Sequence, residues 1–214
     1  MTFDCYGTLI DWESGMLAAA GIGDGEAFLE AYARHEAELE AGPYLPYREV
    51  LARSYLGAAT DLGIEAADDD ASAFAEAIRD WPAFGDTPGA LARLAERYRL
   101  GVITNCDDDL FASSAERLGV DLDWVITAQQ AEAYKPSHRP FEVAFERIGI
   151  ERERILHVAQ SLFHDHVPAR RLGLTSVWID RRGGKEGSGA TPEAEAQPDA
   201  VFPDMESFAA AATR

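Results

Sequence analysis

The chain has 214 residues, of which 38 are Asp or Glu and 19 are Lys or Arg, so its formal net charge at pH 7 is −19. With 47 % hydrophobic residues, it can bury a core, which excludes disordered and fibrous classes. The acidic excess argues against nucleic acid and membrane surfaces as partners, because no concentrated basic patch offsets it. An anionic substrate would therefore need cations placed locally at its binding site.

Cysteine usage and hydropathy indicate a compartment. Cys5 and Cys106 are not spaced as metal ligands, and a disulfide framework would normally use more cysteines. The sequence lacks a run of the ~18 to 20 apolar residues of a membrane helix, and the N-terminus lacks a basic region followed by an apolar one. We therefore expect a cytoplasmic protein.

From about residue 11 to 81 the sequence predicts helices. Apolar residues recur at helical spacing in this Ala- and Glu-rich segment, as at Phe28 and Tyr32. Pro43 and Pro46 should break the segment once. The acidic run 68–70 predicts a helix start, because carboxylates suit the positive end of the helix dipole.

After about Phe84, short apolar runs alternate with helical patterns. This alternation is typical of a parallel sheet covered on both faces, so we expect an α/β fold with a doubly wound, Rossmann-like sheet and a helical insertion near its first strand. In chain order we predict a helix over 90–98, a strand over 100–104, a helix over 110–118, a strand over 124–126, a helix over 140–148, strands over 155–159 and 176–179, and a loop over 183–189.

Polar residues follow a very short first strand that ends at Phe3 and three of these runs. In parallel sheets, ligands bind beyond the carboxyl ends of the strands, so residues at these positions are candidates for chemistry. Each is a weak signal alone, since an Asp after a strand is more often a turn or cap residue. Together they favour a site, and they are Asp4, the pair Thr104 and Asn105, Lys135, and the stretch 160–165.

These four segments resemble, in order, the motifs of the haloacid dehalogenase superfamily. The first reads Phe-Asp-Cys-Tyr-Gly-Thr from residue 3, the third reads Tyr-Lys-Pro from residue 134, and Asp165 lies in the last. The resemblance implies a core domain over 1–12 plus 84–214 and a helical cap domain over 13–83. Tyr6 stands where phosphatases of the superfamily carry a second Asp, so the chain is most similar to the 2-haloacid dehalogenase branch.

The resemblance implies a metal-independent hydrolase. Asp4 would attack the halogen-bearing carbon of a small 2-haloacid and form an aspartyl ester, Lys135 would hold Asp4 ionised, and Asp165 would position or activate the water. Arg34 resembles the cap arginine that receives halide, or is a surface residue paired with Glu30 or Glu38. Implied substrate-binding residues are Tyr6, Thr8, Arg34, Thr104, Asn105 and Ser161.

The sequence departs from the dehalogenase pattern at three positions. Gln160 and Leu162 stand where a Ser and an Asn are expected, although Ser161 could serve in a shifted loop, and Phe141 stands where an aromatic hydroxyl is expected. Two alternatives therefore stay open. One is a phosphatase of a small metabolite with Mg as cofactor, disfavoured by Tyr6 and Gln160, and the other is a non-catalytic relative.

The expected partner is a small anionic substrate, with no cofactor outside the phosphatase alternative. The Ala-rich cap helices could also pair in a homodimer.

Overall fold

The computed structural model describes residues 1–23, 25–183 and 191–214. A parallel sheet forms the centre of the described part of the chain. Its strands are buried on both faces near the middle of the sheet, which explains their nearly continuous apolar sequences. The six strands are β1 (Thr2–Phe3), β2 (Gly101–Thr104), β3 (Trp124–Thr127), β4 (Leu156–Ala159), β5 (Thr175–Ile179) and β6 (Ala200–Phe202).

Helices cover the sheet and fill the segment between its first two strands. The helices between β1 and β2 are α1 (Trp12–Ala20), α2 (Gly25–Glu40), α3 (Tyr47–Asp61), α4 (Asp68–Glu76) and, just before β2, α5 (Thr87–Ala95). Those that follow are α6 (Asp108–Leu118), α7 (Ala128–Ala131), α8 (Arg139–Ile148), α9 (Val167–Arg171) and α10 (Met205–Ala212).

The strand order β3-β2-β1-β4-β5-β6 is that of a doubly wound sheet, and all five strand pairings are parallel. The predicted α/β class and the Rossmann-like sheet are thus confirmed. The order reverses direction beside β1, between β2 on one side and β4 on the other. Ligands bind at such switch points beyond the strand ends, so the residues after β1 and β4 are the first to consider.

The segment between β1 and α5 forms a helical insertion with its own aromatic core. Phe28, Tyr32, Tyr55 and Phe74 pack together there, with the rings of Tyr55 and Phe74 stacked at 4.8 Å. The two segments through which the chain enters and leaves this insertion lie side by side and share backbone hydrogen bonds. The amide of Asp11 donates to the carbonyl of residue 82 at 2.8 Å, and the amide of residue 84 donates to the carbonyl of residue 9 at 3.0 Å.

Several local predictions are confirmed. Helix α2 ends before Pro43 and α3 begins directly after Pro46, and α4 begins at Asp68, where the Asp70 carboxylate accepts from the amide of Ala67 at 2.9 Å. The predicted loop over 183–189 falls outside the described residues except for Gly183. In the described part of the chain, none of the helices is long and apolar enough to cross a membrane.

Candidate active site

Asp4 follows β1 directly and is held at both carboxylate oxygens. Its Oδ1 accepts a hydrogen bond from Lys135 Nζ at 2.7 Å, and its Oδ2 accepts one from Thr8 Oγ1 at 2.7 Å. Thr8 Oγ1 accepts in turn from the amide of Gln160 at 2.9 Å, so the loop after β4 orients the threonine. Two loops at the switch point of the sheet thus fix one carboxylate, which is only 6 % exposed.

Lys135 is the buried cation of the site. Its ammonium donates to Asp4 Oδ1 at 2.7 Å, to Asp165 Oδ1 at 2.7 Å and to the carbonyl of Ile103 at 2.9 Å, which uses all three N–H groups. Burial alone would lower the pKa of Lys135, but the charges of Asp165 and Asp4 outweigh burial and hold that pKa above its ordinary value. The side chain therefore stays charged over the whole physiological range.

Asp165 lies fully buried behind Lys135. Besides the ammonium, its Oδ1 contacts His157 Nε2 at 2.9 Å, while Thr2 Oγ1 contacts the other ring nitrogen at 3.0 Å. Burial would raise the pKa of Asp165, yet Lys135 and His157 outweigh it and hold that pKa well below its usual range. The second oxygen, Oδ2, is buried without a hydrogen-bond partner in the protein. Asp165 is thus a carboxylate with one oxygen available to a water molecule.

A small cavity opens over Asp4 between the sheet and the helical insertion. Its volume is about 30 Å³, which is room for one or two water molecules. The described lining residues come from the segments that follow β1, β2, β3, β4 and β5 on one side, and from the insertion on the other. They are Asp4, Tyr6, Trp12, Glu36, Glu40, Tyr47, Asn105, Lys135, Ser161, His164, Asp165 and Thr191.

The wall formed by α2 carries two carboxyl groups that sequence reasoning missed. Glu36 Oε1 accepts hydrogen bonds from the hydroxyls of Tyr32 and Tyr47, both at 2.9 Å. Burial, and then the neighbouring charge of Glu40, raise the pKa of Glu36 to about 8. Glutamates on an amphipathic helix are ordinarily solvated, so the sequence pattern did not indicate this wall. The burial of Glu36 among aromatic residues, which the structure shows, identifies it.

Glu40 is the second carboxyl group of this wall. Its two oxygens accept from Asn105 Nδ2 at 3.1 and 3.2 Å, and Oε2 lies 3.5 Å from His164 Nε2. Burial alone would lower the pKa of His164, but the carboxylate of Glu40 outweighs burial and raises it. Glu40 and His164 therefore lie side by side in the lining of the cavity, close enough to pair when His164 is protonated.

Three residues expected to bind substrate line the cavity, namely Tyr6, Asn105 and Ser161. Most of their polar side-chain atoms already form hydrogen bonds within the protein. Asn105 Nδ2 also donates to the carbonyl of Lys135 at 3.0 Å, and Ser161 Oγ accepts from the amide of His164 at 2.9 Å. The Tyr6 hydroxyl lies 3.0 Å from Ser114 Oγ on helix α6. Burial, followed by nearby cysteine thiols, raises the pKa of Tyr6 well above its usual range, so Tyr6 presents a neutral ring to the cavity.

Three expected substrate-binding residues are absent from the described lining of the cavity. Thr8 holds the carboxylate of Asp4 instead. Thr104 ends β2 and is buried, but its hydroxyl has no hydrogen-bond partner and it is absent from the described lining. Arg34 differs more from its expected place, because its side chain is 61 % exposed and pairs with Asp61 on α3 at 3.1 Å. The physical reason is the face of α2 on which Arg34 lies, where it reaches solvent and the neighbouring helix rather than the wall.

The three departures from the dehalogenase pattern have structural counterparts. Phe141 is fully buried with its ring edge-on to His157 at 5.3 Å, where a hydroxyl would need a polar partner. Leu162 begins a short π-helix, Leu162–His166, which turns Asp165 toward Lys135. The side chain of Gln160 lies by Gly7, so a Cβ on this glycine would lie 3.2 Å from Gln160 Oε1.

Magnesium, which the phosphatase alternative requires, prefers a near-octahedral set of oxygen ligands. Among the described residues, no group of three or more His, Cys, Asp or Glu side chains could hold a metal ion. The two motif carboxylates, Asp4 and Asp165, are instead bridged by the Lys135 ammonium at 2.7 Å on each side. The donor set that the described residues offer therefore does not fit magnesium.

Comparison with known proteins agrees with this geometry. The chain is 26 % identical to an (S)-2-haloacid dehalogenase of Pseudomonas putida over 96 % of this chain and 92 % of that protein. It is also 26 % identical to haloacetate dehalogenase H-2 of Moraxella sp. (strain B), over 86 % of each chain.

The fold is matched by a solved structure, the L-2-haloacid dehalogenase from Xanthobacter autotrophicus. That structure superposes with a TM-score of 0.84 at 21 % identity and covers 99 % of this chain and 96 % of its own. The model of the haloacid dehalogenase-like hydrolases matches residues 1–162. The chain therefore belongs to the haloacid dehalogenase-like hydrolase family.

Proposed function

We propose that this chain is a metal-independent hydrolase that uses Asp4 to displace halide from a small 2-haloacid, or from a related small electrophile, through an aspartyl ester. The names of its relatives give 2-haloacids and haloacetate as their substrates. The observation that carries this proposal is the carboxylate of Asp4, held between Lys135 Nζ and Thr8 Oγ1 at 2.7 Å each. The Lys135 ammonium lies against one carboxylate oxygen, and the two hydrogen bonds fix the direction of the carboxylate.

In the first step an oxygen of Asp4 forms a bond to the halogen-bearing carbon while the carbon–halogen bond breaks and halide leaves with the electron pair. Halide needs no proton, so the site requires no general acid where phosphatases of the superfamily carry one. The aromatic ring of Tyr6 at that position suits this chemistry, because its hydroxyl is turned toward Ser114.

In the second step water attacks the ester carbonyl of Asp4, which restores the carboxylate and releases the hydroxylated product. The free Oδ2 of Asp165 supports a role in orienting this water, since it is buried and has no partner in the protein. The low pKa of Asp165 makes it a weak base, so it would orient the water and accept a proton only as the ester breaks. Lys135 would steady both carboxylates throughout.

The insertion closes the site. We propose the division into a core domain over 1–12 plus 84–214 and a cap domain over 13–83, because the paired backbone near residues 11 and 83 connects them. Glu36, Glu40 and Tyr47 of the cap line the cavity from the side opposite Asp4. A cavity of about 30 Å³ admits only a few heavy atoms without movement of the cap.

Isotope labelling tests this proposal directly. Halide release is measured for a panel of short 2-halogenated acids and amides, and we expect Asp4→Asn to abolish it while Asp121→Asn, an exposed control, does not. A single turnover in ¹⁸O-labelled water should place the label in the carboxylate of Asp4, as seen by peptide mass spectrometry. Label found only in the product after one turnover would contradict an aspartyl ester.

A further inference from the structure

Asn105 and His164 direct hydrogen-bond donors to the same carboxylate in the wall of the cavity. The side-chain amide of Asn105 is fixed by the backbone of Lys135, since its Oδ1 accepts from the amide of that residue at 2.8 Å and its Nδ2 donates to the carbonyl at 3.0 Å. Nδ2 has two hydrogens, and the second is donated to Glu40, whose oxygens lie at 3.1 and 3.2 Å. Asn105 is therefore preorganised to donate one hydrogen bond to a carboxylate.

His164 supplies the second donor. Its Nδ1 lies 3.2 Å from Ser161 Oγ, and its Nε2 lies 3.5 Å from Glu40 Oε2. Nε2 is buried and has no hydrogen-bond partner among the described residues. A carboxylate at this distance repels a nitrogen lone pair, so Glu40 favours the forms of the ring in which Nε2 carries a hydrogen. His164 thus presents a buried N–H beside that of Asn105.

Glu40 lies at a position that its own helix disfavours. It is the last residue of α2, where the negative end of the helix dipole opposes a carboxylate, and the last turn of that helix contains no basic residue. Nevertheless its side chain is only 4 % exposed. The donors of Asn105 and His164, which belong to the core side of the cavity, therefore hold this carboxylate in the wall.

The size of the cavity indicates what must move when a substrate binds. The space of about 30 Å³ over Asp4 is enough for one or two water molecules. A 2-haloacid must bring its halogen-bearing carbon to Asp4 and also place its carboxylate. If Glu40 withdraws, the substrate gains both the room that this side chain fills and the two donors that it faces.

We propose that Asn105 and His164 form the subsite for the carboxylate of the substrate, and that Glu40 fills this subsite when no substrate is bound. This inference rests on the proposed function and deepens it, because it names the residues that recognise the acid group. The substrate carboxylate takes over the hydrogen bond from Asn105 Nδ2 and accepts a second one from His164 Nε2. Glu40 turns away at the end of α2, so the protein's own carboxylate competes with the substrate.

Binding of propionate tests the subsite without turnover, because propionate has the acid group of a 2-haloacid but no halogen. Isothermal titration calorimetry at pH 7 measures its affinity. We expect Glu40→Ala to bind propionate about tenfold more tightly than the wild type, as expected when one competing charge leaves a partly screened site. Adding His164→Gln to Glu40→Ala should remove most of this gain. The matched control is Glu38→Ala, an exposed position on the same helix, which should keep the wild-type affinity.

Two further comparisons separate the lost charge from altered packing. Thermal melting checks that each variant is folded, and Glu40→Gln, which removes the charge but fills nearly the same space, should also bind propionate more tightly than the wild type. Propionamide has a similar shape without the charge. It should therefore gain less affinity than propionate from Glu40→Ala.

Unchanged or weaker binding of propionate by folded Glu40→Ala and Glu40→Gln would overturn the inference, and so would equal gains for propionate and propionamide. Halide release from 2-chloropropionate is measured separately and tests the proposed function. If release depends on Asp4 but Glu40→Ala gains no affinity for propionate, the proposed function stands and the inference fails. If propionate binds as expected but the panel of halogenated compounds gives no Asp4-dependent release, the proposed function fails and the carboxylate subsite stands.

Discussion

Glu36 shows how one buried side chain can couple the stability of this fold to pH. Both oxygens of a carboxylate ordinarily face water, whereas Glu36 is only 4 % exposed and its Oε1 receives the hydroxyls of Tyr32 and Tyr47. Burial and the charge of Glu40 raise its pKa to about 8 in the folded protein. In the unfolded chain the same group should titrate near its ordinary value, about 4.3.

The pH dependence follows from this difference. Between these two pKa values the folded protein binds a proton that the unfolded chain does not, so the stabilisation is complete below about pH 4.3 and is lost as the pH rises through about 8. We expect the wild-type free energy of unfolding to fall from pH 5 to pH 9. Glu36→Gln should remove several kcal/mol of that fall, at about 1.4 kcal/mol per unit of pKa shift.

Urea unfolding at a series of pH values measures this effect. His164 also has a raised pKa, so it contributes a loss of stability in the same direction that Glu36→Gln leaves in place. Glu38→Gln should follow the wild-type curve. If the Glu36→Gln curve ran parallel to the wild-type curve, the assigned protonation of Glu36 would be wrong.

The core of the site could be predicted from the sequence at the residue scale, but its wall could not. Asp4 and Asp165 each follow a strand, which places them at one edge of the sheet without knowledge of tertiary contacts. Glu36 and Glu40 lie on a helix, where spacing identifies a face but not its neighbour. The same limit explains why Arg34 was expected at the site and lies in solvent instead.

At the scale of elements, helix α1 packs closely against Trp81, which lies at the end of the insertion. Gly15 packs against the ring of Trp81, and a Cβ added to this glycine would lie 2.4 Å from two ring atoms. Trp81 is 2 % exposed and its neighbours include Tyr6, whose ring lies edge-on at 5.8 Å. The packing of α1 against Trp81 therefore helps to position the ring of Tyr6 in the site.

Gly15→Ala should therefore destabilise the protein, although alanine favours helices. Overpacking a core typically costs about 1 to 3 kcal/mol, which exceeds the gain of about 1 kcal/mol in helix propensity. The matched control is Gly89→Ala in helix α5, where the added Cβ meets nothing within 4 Å and should raise stability slightly. Denaturant midpoints measure both, and equal shifts for the two variants would contradict the assigned contact.

Short apolar runs that alternate with helical patterns predicted most elements of the core. They did not predict strand β6 or the exact bounds of helix α5. Strand β6 has three residues at the sheet edge, with Val201 54 % exposed, which is too short and too exposed for a periodic signal. Helix α5 spans Thr87–Ala95, so it begins and ends earlier than the predicted 90–98. Pro88 lies in its first turn, a position that suits proline because the missing N–H would be unpaired there.

At the scale of the whole molecule, the net charge of −19 acts on any charged ligand before it reaches the cavity. An anion is repelled at low ionic strength, when the Debye length is about 30 Å at 0.01 M, and much less when it is about 8 Å at 0.15 M. An uncharged amide should not respond to this field. The composition thus separates acid and amide substrates by their salt dependence.

We therefore expect the KM for 2-chloropropionate to fall severalfold between 0.01 M and 0.15 M ionic strength, and the KM for 2-chloropropionamide to stay constant. Initial rates of Asp4-dependent halide release measure both values. Sodium chloride and potassium sulfate should agree at equal ionic strength if screening is the cause. A KM for the acid that rose steadily with salt would show that local cations attract it.

The short strand β1 has a consequence for how the molecule assembles. It holds only Thr2 and Phe3, yet it lies in the middle of the sheet, where Thr2 pairs with Gly101 on one side and His157 on the other. Contacts between residues so distant in sequence form slowly, because the entropy of closing a long loop is lost before the contacts stabilise the chain. On the ribosome, the segment that carries Asp4 must therefore wait until β4 has been synthesised, so the proposed nucleophile should reach its place among the last.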